Sequence, residues 1–345
     1  AHLSVAAPAG QPDFERTHGM GYFLLGSILA LMEDVGAAEP LYRVIRKIRR
    51  PQSLRELMAA CLRSIYMGDP FTRESDALPE LPERLRKAVT LEECLIAGIR
   101  CQVYRPTGRD EPLPLLIYMH GGGFVIGCSE DTDYITRMLC DLSQVVVVSI
   151  NYRLAPETVF PGAILDCERV LESVLNESLK FSVAADCVYL AGDSAGANLA
   201  LALWARLGKR QNQVKGMVLL APWLDMEVEK YESYNRLAPE GIVFDAAFIG
   251  YARAAYVGFE KWRHPQVSPI YSPLLELPPT IVLIGEEDPF IDQALAFKER
   301  ARVVGSQKLE VKVFAGMPHC FYSFPGLFEE EKACYTAIAE FLARA

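Results

Sequence analysis

The stretch LAGDSAGANLA, residues 190–200, places Ser194 between Gly192 and Gly196, with an apolar strand-like run before it and a helix-like run after it. It fits the pattern G-x-S-x-G, which presents a nucleophilic serine on a sharp turn from a strand into a helix. The two glycines admit a strained backbone and let the helix pack close to the strand. Ordinary strand-to-helix turns also match this pattern, so a nucleophile at Ser194 requires partner groups elsewhere in the chain.

A regular alternation of short apolar strands and amphipathic helices runs from about residue 90 to the end of the chain. This alternation is typical of a mostly parallel sheet that helices cover on both faces, and it predicts an α/β fold. Binding sites in such sheets form beyond the carboxyl ends of the strands. We predict strands over 94–106, 114–123, 145–156, 187–191, 216–225, 280–289 and 308–319, and helices over 131–143, 163–179, 197–208, 294–305 and 329–345.

Two segments interrupt the alternation because they contain no strand pattern and have helix-like stretches instead. The clearer helical stretch is FDAAFIGYARAAYVG, residues 244–258. We predict that these two segments fold together as a helical cap over the edge of the site. The predicted organisation is an N-terminal cap segment at 1–75, a catalytic core at 76–225 and 273–345, and a cap insertion at 226–272.

A serine hydroxyl needs a base to take its proton, and the base needs an acid that fixes its tautomer. The chain has five histidines, of which His319, in GMPHCF, directly follows the last predicted strand. Asp288, in GEEDPFID, follows the preceding strand, and Asp292 is the second candidate for the acid. The order Ser194, Asp288, His319 is the chain order of α/β-hydrolase triads, and we predict a catalytic triad from these three residues.

The glycine-rich run HGGGF, residues 120–124, follows a predicted strand upstream of the serine. Consecutive glycines let backbone N–H groups approach a ligand, and the tetrahedral intermediate of acyl transfer needs such donors for its oxyanion. We assign the oxyanion hole to Gly122 and Gly123, together with the N–H of Ala195. The run does not open a helix as a dinucleotide-binding loop does, and the P-loop pattern is absent from the sequence. We therefore predict an enzyme without a cofactor or a metal.

Taken together, these motifs resemble those of the hormone-sensitive-lipase family of α/β-hydrolases, the bacterial family IV esterases. The resemblance covers about residues 90–345 and implies Ser194 as nucleophile, Asp288 as acid and His319 as base. It also implies a helical cap, and it makes YRLAPE a structural support of the site. The matching motifs are HGGGF (120–124), YRLAPE (152–157), GDSAG (192–196), DPFID (288–292) and GMPHCF (316–321).

Three positions depart from the pattern of the family that the chain resembles. Ala197 and Cys320 stand where that family often has glycine, and Gln293 stands where it often has an acidic residue. None of these departures removes a catalytic group, but each bears on the shape of the pocket. Four aromatic residues beside the motifs either wall an acyl pocket or pack in the core: Phe124, Phe321, Tyr322 and Phe324.

The composition narrows the class of partner and the compartment. The net charge of −9 argues against nucleic acid as a partner, since phosphate binding needs a basic surface. Nine cysteines without a C-x-x-C pair indicate reduced thiols and a cytoplasmic location, although a removed signal segment stays open.

The apolar run at 20–32 is shorter than the roughly 20 residues that span a bilayer. The basic run at 43–50 favours a solvated helix face over membrane contact.

The sequence therefore predicts a carboxylic ester hydrolase that acts on small-molecule esters with short to medium acyl chains. Two alternatives remain open at this stage. One is a small-molecule receptor on the same fold that lacks catalysis, and the other is a lipase that works at a lipid interface. The oligomeric state, including a homodimer, is open as well.

Overall fold

The computed structural model describes residues 81–240, 243–326 and 328–344. Within these residues one sheet of eight strands lies between helices. The strands are β1 Val89–Ile96, β2 Ile99–Pro106, β3 Leu113–Met119, β4 Val146–Ile150, β5 Val183–Asp193, β6 Val214–Leu220, β7 Thr280–Glu287 and β8 Leu309–Pro318. The helices are α1 Glu83–Ala88, α2 Asp133–Ser143, α3 Gly162–Asn176, α4 Ala195–Arg206, α5 Glu232–Leu237, α6 Ala246–Tyr256, α7 Ile291–Val303 and α8 Glu330–Arg344.

The strand order across the sheet is β1-β2-β4-β3-β5-β6-β7-β8. Every neighbouring pair from β4 to β8 is parallel, whereas β1 and β2 pair antiparallel with each other and β2 pairs antiparallel with β4. The prediction of a mostly parallel sheet covered by helices on both faces is confirmed. Because β3 and β5 to β8 run in the same direction, their carboxyl ends meet at one edge of the sheet.

The single strand predicted over 94–106 is wrong, because this stretch crosses a hairpin. Its first residues end β1 and its later residues form β2, with Ile96 paired to Ile99 across the turn. The two turn residues, Ala97 and Gly98, have φ angles of 51° and 78°. Two successive positive φ angles are typical of the tight turns that join antiparallel strands. The apolar run hid this turn, since only Gly98 marks it in the sequence.

The core fills both faces of the sheet, as the alternation of side chains along each strand requires. On β3, Leu115 and Ile117 belong to one buried cluster, whereas Leu116 and Tyr118 belong to the other. The first cluster includes the apolar sides of α3 and α4, and the second includes those of α2 and α8. Strands buried on both faces read as continuous apolar runs, which explains the sequence VVVSI of β4.

The segment 226–272 leaves the sheet after β6 and returns before β7, and its described residues form helical structure without a strand. Asp245 caps α6, where its carboxylate accepts a 2.7 Å hydrogen bond from the backbone N–H of Phe248.

The division into a core and a helical cap stays a prediction. The other predicted cap segment, 1–75, lies outside the described residues, and so do the runs at 20–32 and 43–50. Among the helices described, not one combines the length and the apolar character that a bilayer crossing requires.

Candidate active site

Ser194 lies on the sharp turn that joins the end of β5 to the start of α4. Its backbone has φ 53° and ψ −116°, a sparsely populated conformation that costs a non-glycine residue about 1–3 kcal/mol. The flanking glycines are required by packing. A Cβ on Gly196 would lie 1.9 Å from the carbonyl oxygen of Met119, and one on Gly192 would lie 2.4 Å from the carbonyl carbon of Gly196. The turn therefore holds Ser194 against the end of β3.

His319 and Asp288 meet at the same edge of the sheet, directly after β8 and β7. The Nδ1 of His319 lies 2.7 Å from Oδ2 of Asp288, and both side chains are buried. The other carboxylate oxygen of Asp288 accepts a 2.8 Å hydrogen bond from the N–H of Phe290, which fixes its orientation. A carboxylate only accepts hydrogen bonds, so Nδ1 carries the hydrogen and Nε2 is left as the basic nitrogen.

Asp292, the second candidate for the acid, has another role in the structure. Its carboxylate accepts a 2.7 Å hydrogen bond from the backbone N–H of Ser233, at the start of α5. Asp292 therefore ties α7 to the insertion, while Asp288 is the carboxylate in contact with His319. The distinction follows from chain geometry, because Asp288 comes directly after β7 and Asp292 lies inside the first turn of α7.

Two opposing effects set the pKa of His319. Burial alone would lower the pKa, since it disfavours the charged imidazolium. The negative charge of Asp288, the neighbouring Cys320 and the hydrogen bond to Asp288 outweigh burial, and together they hold the pKa of His319 well above its ordinary value of 6.5. The histidine is thus a stronger base than free imidazole, and the adjacent carboxylate stabilises the imidazolium that forms when Nε2 takes a proton.

Ser194 and His319 both line a cavity of about 410 Å³, counted with its open mouth. Gly122 and Gly123, in the loop after β3, line the same cavity. The structure therefore brings together the predicted nucleophile, the predicted base and two of the predicted oxyanion donors. Ala195, the third predicted donor, follows Ser194 as the first residue of α4 and is fully buried.

The loop after β3 has the conformation that free backbone donors need. Gly122 and Gly123 have φ angles of 109° and 61°, and a Cβ on Gly122 would lie 2.1 Å from the carbonyl oxygen of Ile126. Within the described part of the chain, the N–H groups of Gly122, Gly123 and Ala195 form no hydrogen bond. Unpaired N–H groups beside a nucleophile are the donors that an oxyanion would accept from.

A buried polar network holds this loop against the serine turn. The Oδ1 atom of Asp193 accepts hydrogen bonds from the hydroxyl of Tyr118 at 2.7 Å and from the N–H of Gly121 at 2.9 Å. Burial raises the pKa of Asp193 to about 6, although the hydrogen bond from Tyr118 opposes this rise. Tyr152, the first residue of YRLAPE, donates to the carbonyl of His120 at 2.7 Å and stacks on its ring.

The walls of the cavity come partly from residues that the sequence analysis did not single out. Val243, Phe244 and Phe248, all in the insertion, line the cavity over Ser194. The ring of Phe244 meets the ring of His319 edge-on, with 4.7 Å between centroids. An apolar helical pattern in the insertion was visible in the sequence. Periodicity cannot distinguish a helix face that packs in the core from one that covers a cavity.

The four aromatic residues beside the motifs pack in the core, which was the second of the two alternatives. Phe124 is fully buried and stacks on Tyr256 with 3.9 Å between ring centroids. Phe321 and Tyr322 belong to the buried cluster beneath α8, and Phe324 packs against it.

The three departures from the family pattern also have defined places. Ala197 is fully buried inside α4. Gln293 is buried too, and its Oε1 accepts two 2.9 Å hydrogen bonds from the N–H groups of Leu224 and Asp225. Cys320 has φ 55° and lines the cavity. A positive φ explains why glycine fits readily at position 320. Only this third departure bears directly on the shape of the cavity.

Comparison with known proteins defines the class. Residues 116–323 match the family described as alpha/beta hydrolase fold. An esterase of Acinetobacter venetianus is 29% identical over 73% of this chain and 82% of its own length. The solved hyperthermophilic esterase of the archaeon Pyrobaculum calidifontis is 32% identical, with a TM-score of 0.69 over 75% of this chain and 88% of that one. A hormone-sensitive lipase from a metagenome library is 27% identical, with a TM-score of 0.68 over 75% of this chain and 84% of that one.

The chain belongs to the alpha/beta hydrolase fold family, within its hormone-sensitive-lipase branch. The predictions of an enzyme and of the carboxylesterase class are confirmed by these relationships. The roles of individual residues in the site remain predictions that rest on the geometry above.

Proposed function

We propose that this chain hydrolyses carboxylic esters through an acyl-enzyme formed on Ser194. The observation that carries the proposal is the 2.7 Å contact between His319 and Asp288 in a site where His319 lines the same cavity as Ser194. A serine hydroxyl is a weak nucleophile until a neighbouring base takes its proton, and a buried carboxylate makes the base stronger. The pairing of His319 with buried Asp288, at the edge of the sheet where Ser194 lies, supports the proposal.

In the first half of the reaction, Nε2 of His319 takes the proton of Ser194 while Oγ attacks the ester carbonyl carbon. The carbonyl oxygen becomes an oxyanion, which accepts hydrogen bonds from the N–H groups of Gly122, Gly123 and Ala195. The carbon–oxygen bond to the alcohol then breaks, and Nε2 returns its proton to the leaving oxygen. Asp288 stays ionised throughout and stabilises the imidazolium of His319.

In the second half, water takes the place of the alcohol. Nε2 of His319 takes a proton from this water as it attacks the acyl carbon, and the same oxyanion donors hold the second intermediate. The bond between the acyl carbon and Oγ breaks, Ser194 regains its proton from His319, and the carboxylic acid leaves. The reaction consumes one water for each ester and needs no other reactant.

The substrates that fit this site are uncharged esters with short to medium acyl chains. Two features of the cavity support this choice: its apolar walls from Val243, Phe244 and Phe248, and its modest volume of about 410 Å³. A relative that is 29% identical carries the name acetyl-hydrolase, in Streptomyces hygroscopicus, which is consistent with a small acyl group.

The decisive experiment compares Ser194→Ala with Ser306→Ala on p-nitrophenyl acetate and butyrate. We expect Ser194→Ala to lose more than about a thousandfold in kcat/KM, because the acyl-enzyme cannot form. Ser306 is a matched control, since it is also a buried serine, its hydroxyl forms no hydrogen bond within the described residues, and it lies outside the cavity. Turnover by Ser194→Ala at the level of the control would refute the proposal.

Covalent labelling separates the enzyme from the receptor alternative. A fluorophosphonate probe should add to Ser194 of the wild-type chain, with the site of modification found by mass spectrometry. Labelling depends on an activated serine and not on the choice of ester. A wild-type chain that resists the probe at Ser194 while it binds small esters would favour the receptor.

A further inference from the structure

A second cavity lies next to the one over Ser194, and the two share the side chains of Val243, Phe244 and His319 in their walls. This second cavity, which we call the histidine-side cavity, measures about 210 Å³ when counted with its open mouth. Phe244, Val243 and His319 line both cavities, whereas Ser194 and the glycine loop line only the first. The histidine-side cavity is lined by Leu237, Val243, Phe244, Glu287, Pro289 and His319.

Phe244 is held firmly in its place in the wall of both cavities. It is only 7% exposed, its ring packs against Phe290 with 5.2 Å between centroids, and its edge contact with His319 spans 4.7 Å. In the chain, Phe244 directly precedes Asp245, which caps α6. The ring of Phe244 is therefore a firmly packed part of the wall of both cavities and not a loose surface side chain.

The proposed reaction indicates which cavity would hold the acyl chain of the ester and which would hold its alcohol. The acyl carbon is bonded to Oγ of Ser194, so the acyl chain stays in the cavity that Ser194 and the oxyanion donors line. The leaving oxygen must receive its proton from His319, and so it lies within hydrogen-bond reach of that side chain. The group that this oxygen carries therefore lies next to His319, and the histidine-side cavity is the other cavity that His319 lines.

We propose that Phe244 is a specificity-determining residue that limits the size of the alcohol part of the ester, because it closes the histidine-side cavity. This inference rests on the proposed ester hydrolysis and deepens it. With Phe244 in place, the enzyme hydrolyses acetates of short linear alkyl alcohols faster than acetates of longer ones. With a smaller side chain at this position, the two cavities join, and alkyl alcohols of greater length gain an apolar pocket.

The lining of the histidine-side cavity defines which alcohols it would take. Leu237, Val243 and Pro289 provide apolar walls. Its carboxylate, Glu287, is 1% exposed and faces the guanidinium of Arg236 at 3.5 Å. Since that carboxylate has a cationic partner, the pocket offers no uncompensated charge to a ligand. Unbranched alkyl alcohols are the class that fits apolar walls of this kind.

The test varies the alcohol and the acyl chain in separate series. The first series is ethyl, butyl and hexyl acetate, with the acid released followed by titration at constant pH. The second series is p-nitrophenyl acetate, butyrate and hexanoate, in which the alcohol is constant. Both are measured as kcat/KM for the wild-type chain, for Phe244→Ala and for Phe244→Leu, which keeps an apolar side chain if the alanine variant fails to fold. Phe259→Ala is the matched control, because Phe259 also belongs to the insertion but is 74% exposed.

We expect Phe244→Ala to raise the ratio of hexyl to ethyl acetate by about tenfold over wild type, and Phe244→Leu to raise it less. Because Phe244 also lines the cavity over Ser194, the ratio of hexanoate to acetate in the second series should rise, but by less than the alcohol ratio, and Phe259→Ala should change neither ratio. An unchanged alcohol ratio, or a change confined to the acyl series, would overturn the inference while the ester hydrolysis itself stands. Wild-type protein without Ser194-dependent hydrolysis of either series would instead refute the proposed function.

Discussion

The contact between His319 and Asp288 leads to a prediction that separates the two candidate acids. Asp288→Asn should lower kcat by about 10³–10⁴-fold, because the amide no longer favours the Nδ1–H tautomer or stabilises the imidazolium. Asp292→Asn should stay within a few-fold of wild type, since an asparagine oxygen can still accept the hydrogen bond from Ser233. Steady-state rates on p-nitrophenyl acetate provide the measurement. Equal losses of kcat in the two variants would show that Asp288 is not the acid of the triad.

The raised pKa of His319 predicts the acidic limb of the pH–rate profile. The reaction needs neutral His319, so kcat/KM should fall as the pH drops through its pKa and the imidazolium accumulates. Because Asp288 holds this pKa well above 6.5, the half-maximal rate should lie at a pH above 6.5. Rates on ethyl acetate between pH 4 and 9 test this, since that substrate does not titrate. A midpoint at or below 6.5 would contradict the prediction.

The turn from β5 into α4 is tightly packed, and Gly196 in this turn can be compared with Gly250, which lies in open space on α6. Gly196→Ala should cost about 3 kcal/mol in the free energy of unfolding, since its Cβ would collide with the Met119 backbone, which cannot rotate away. Gly250→Ala, in the middle of α6, has open space around its Cβ and should stabilise the chain by about 0.5–1 kcal/mol. Urea unfolding of both variants provides the measurement. A neutral Gly196→Ala would show that α4 can move away from β3.

The elements that build the site differ in how far the sequence determines them. The turn at Ser194 was predictable because its glycines, its strand and its helix are all local. The same holds for His319 and Asp288, since each directly follows an apolar strand. The hairpin between β1 and β2 was missed because Ala97 and Gly98 interrupt an apolar run by only two residues. The role of Phe244 was also invisible, since it depends on how the insertion folds back over the sheet.

Over the described residues from β3 onward, local patterns predicted the order of strands and helices, and sheet topology then brought Ser194, Asp288 and His319 to one edge. What the patterns could not supply is which buried groups share a network. Asp193 is one residue from the nucleophile in the sequence, but its partners, Tyr118 and Gly121, come from β3 and the loop that follows it. Such long-range pairs follow from strand register, which the apolar pattern of a doubly buried sheet leaves undetermined.

Asp193 leads to a prediction about the pH dependence of global stability. Burial raises its pKa to about 6 from an unfolded value of 3.8, so the folded chain holds this proton in a range where the unfolded chain has released it. The resulting stabilisation is complete below pH 3.8 and is lost as the pH rises through 6. By linkage, the ionised form costs the folded state about 3 kcal/mol at neutral pH.

Asp193→Asn removes this titration and keeps an oxygen that accepts from Tyr118 and Gly121. The free energy of unfolding of the variant minus that of wild type should therefore increase by about 3 kcal/mol between pH 4 and pH 7.5. Urea unfolding of both proteins at the two pH values measures this difference, and titrating groups that do not interact with Asp193 cancel because both chains contain them. A difference that is the same at both pH values would mean that Asp193 is already ionised at pH 4 in the folded chain. The oxyanion loop would then be held by a buried carboxylate whose charge is fully compensated by its hydrogen-bond donors.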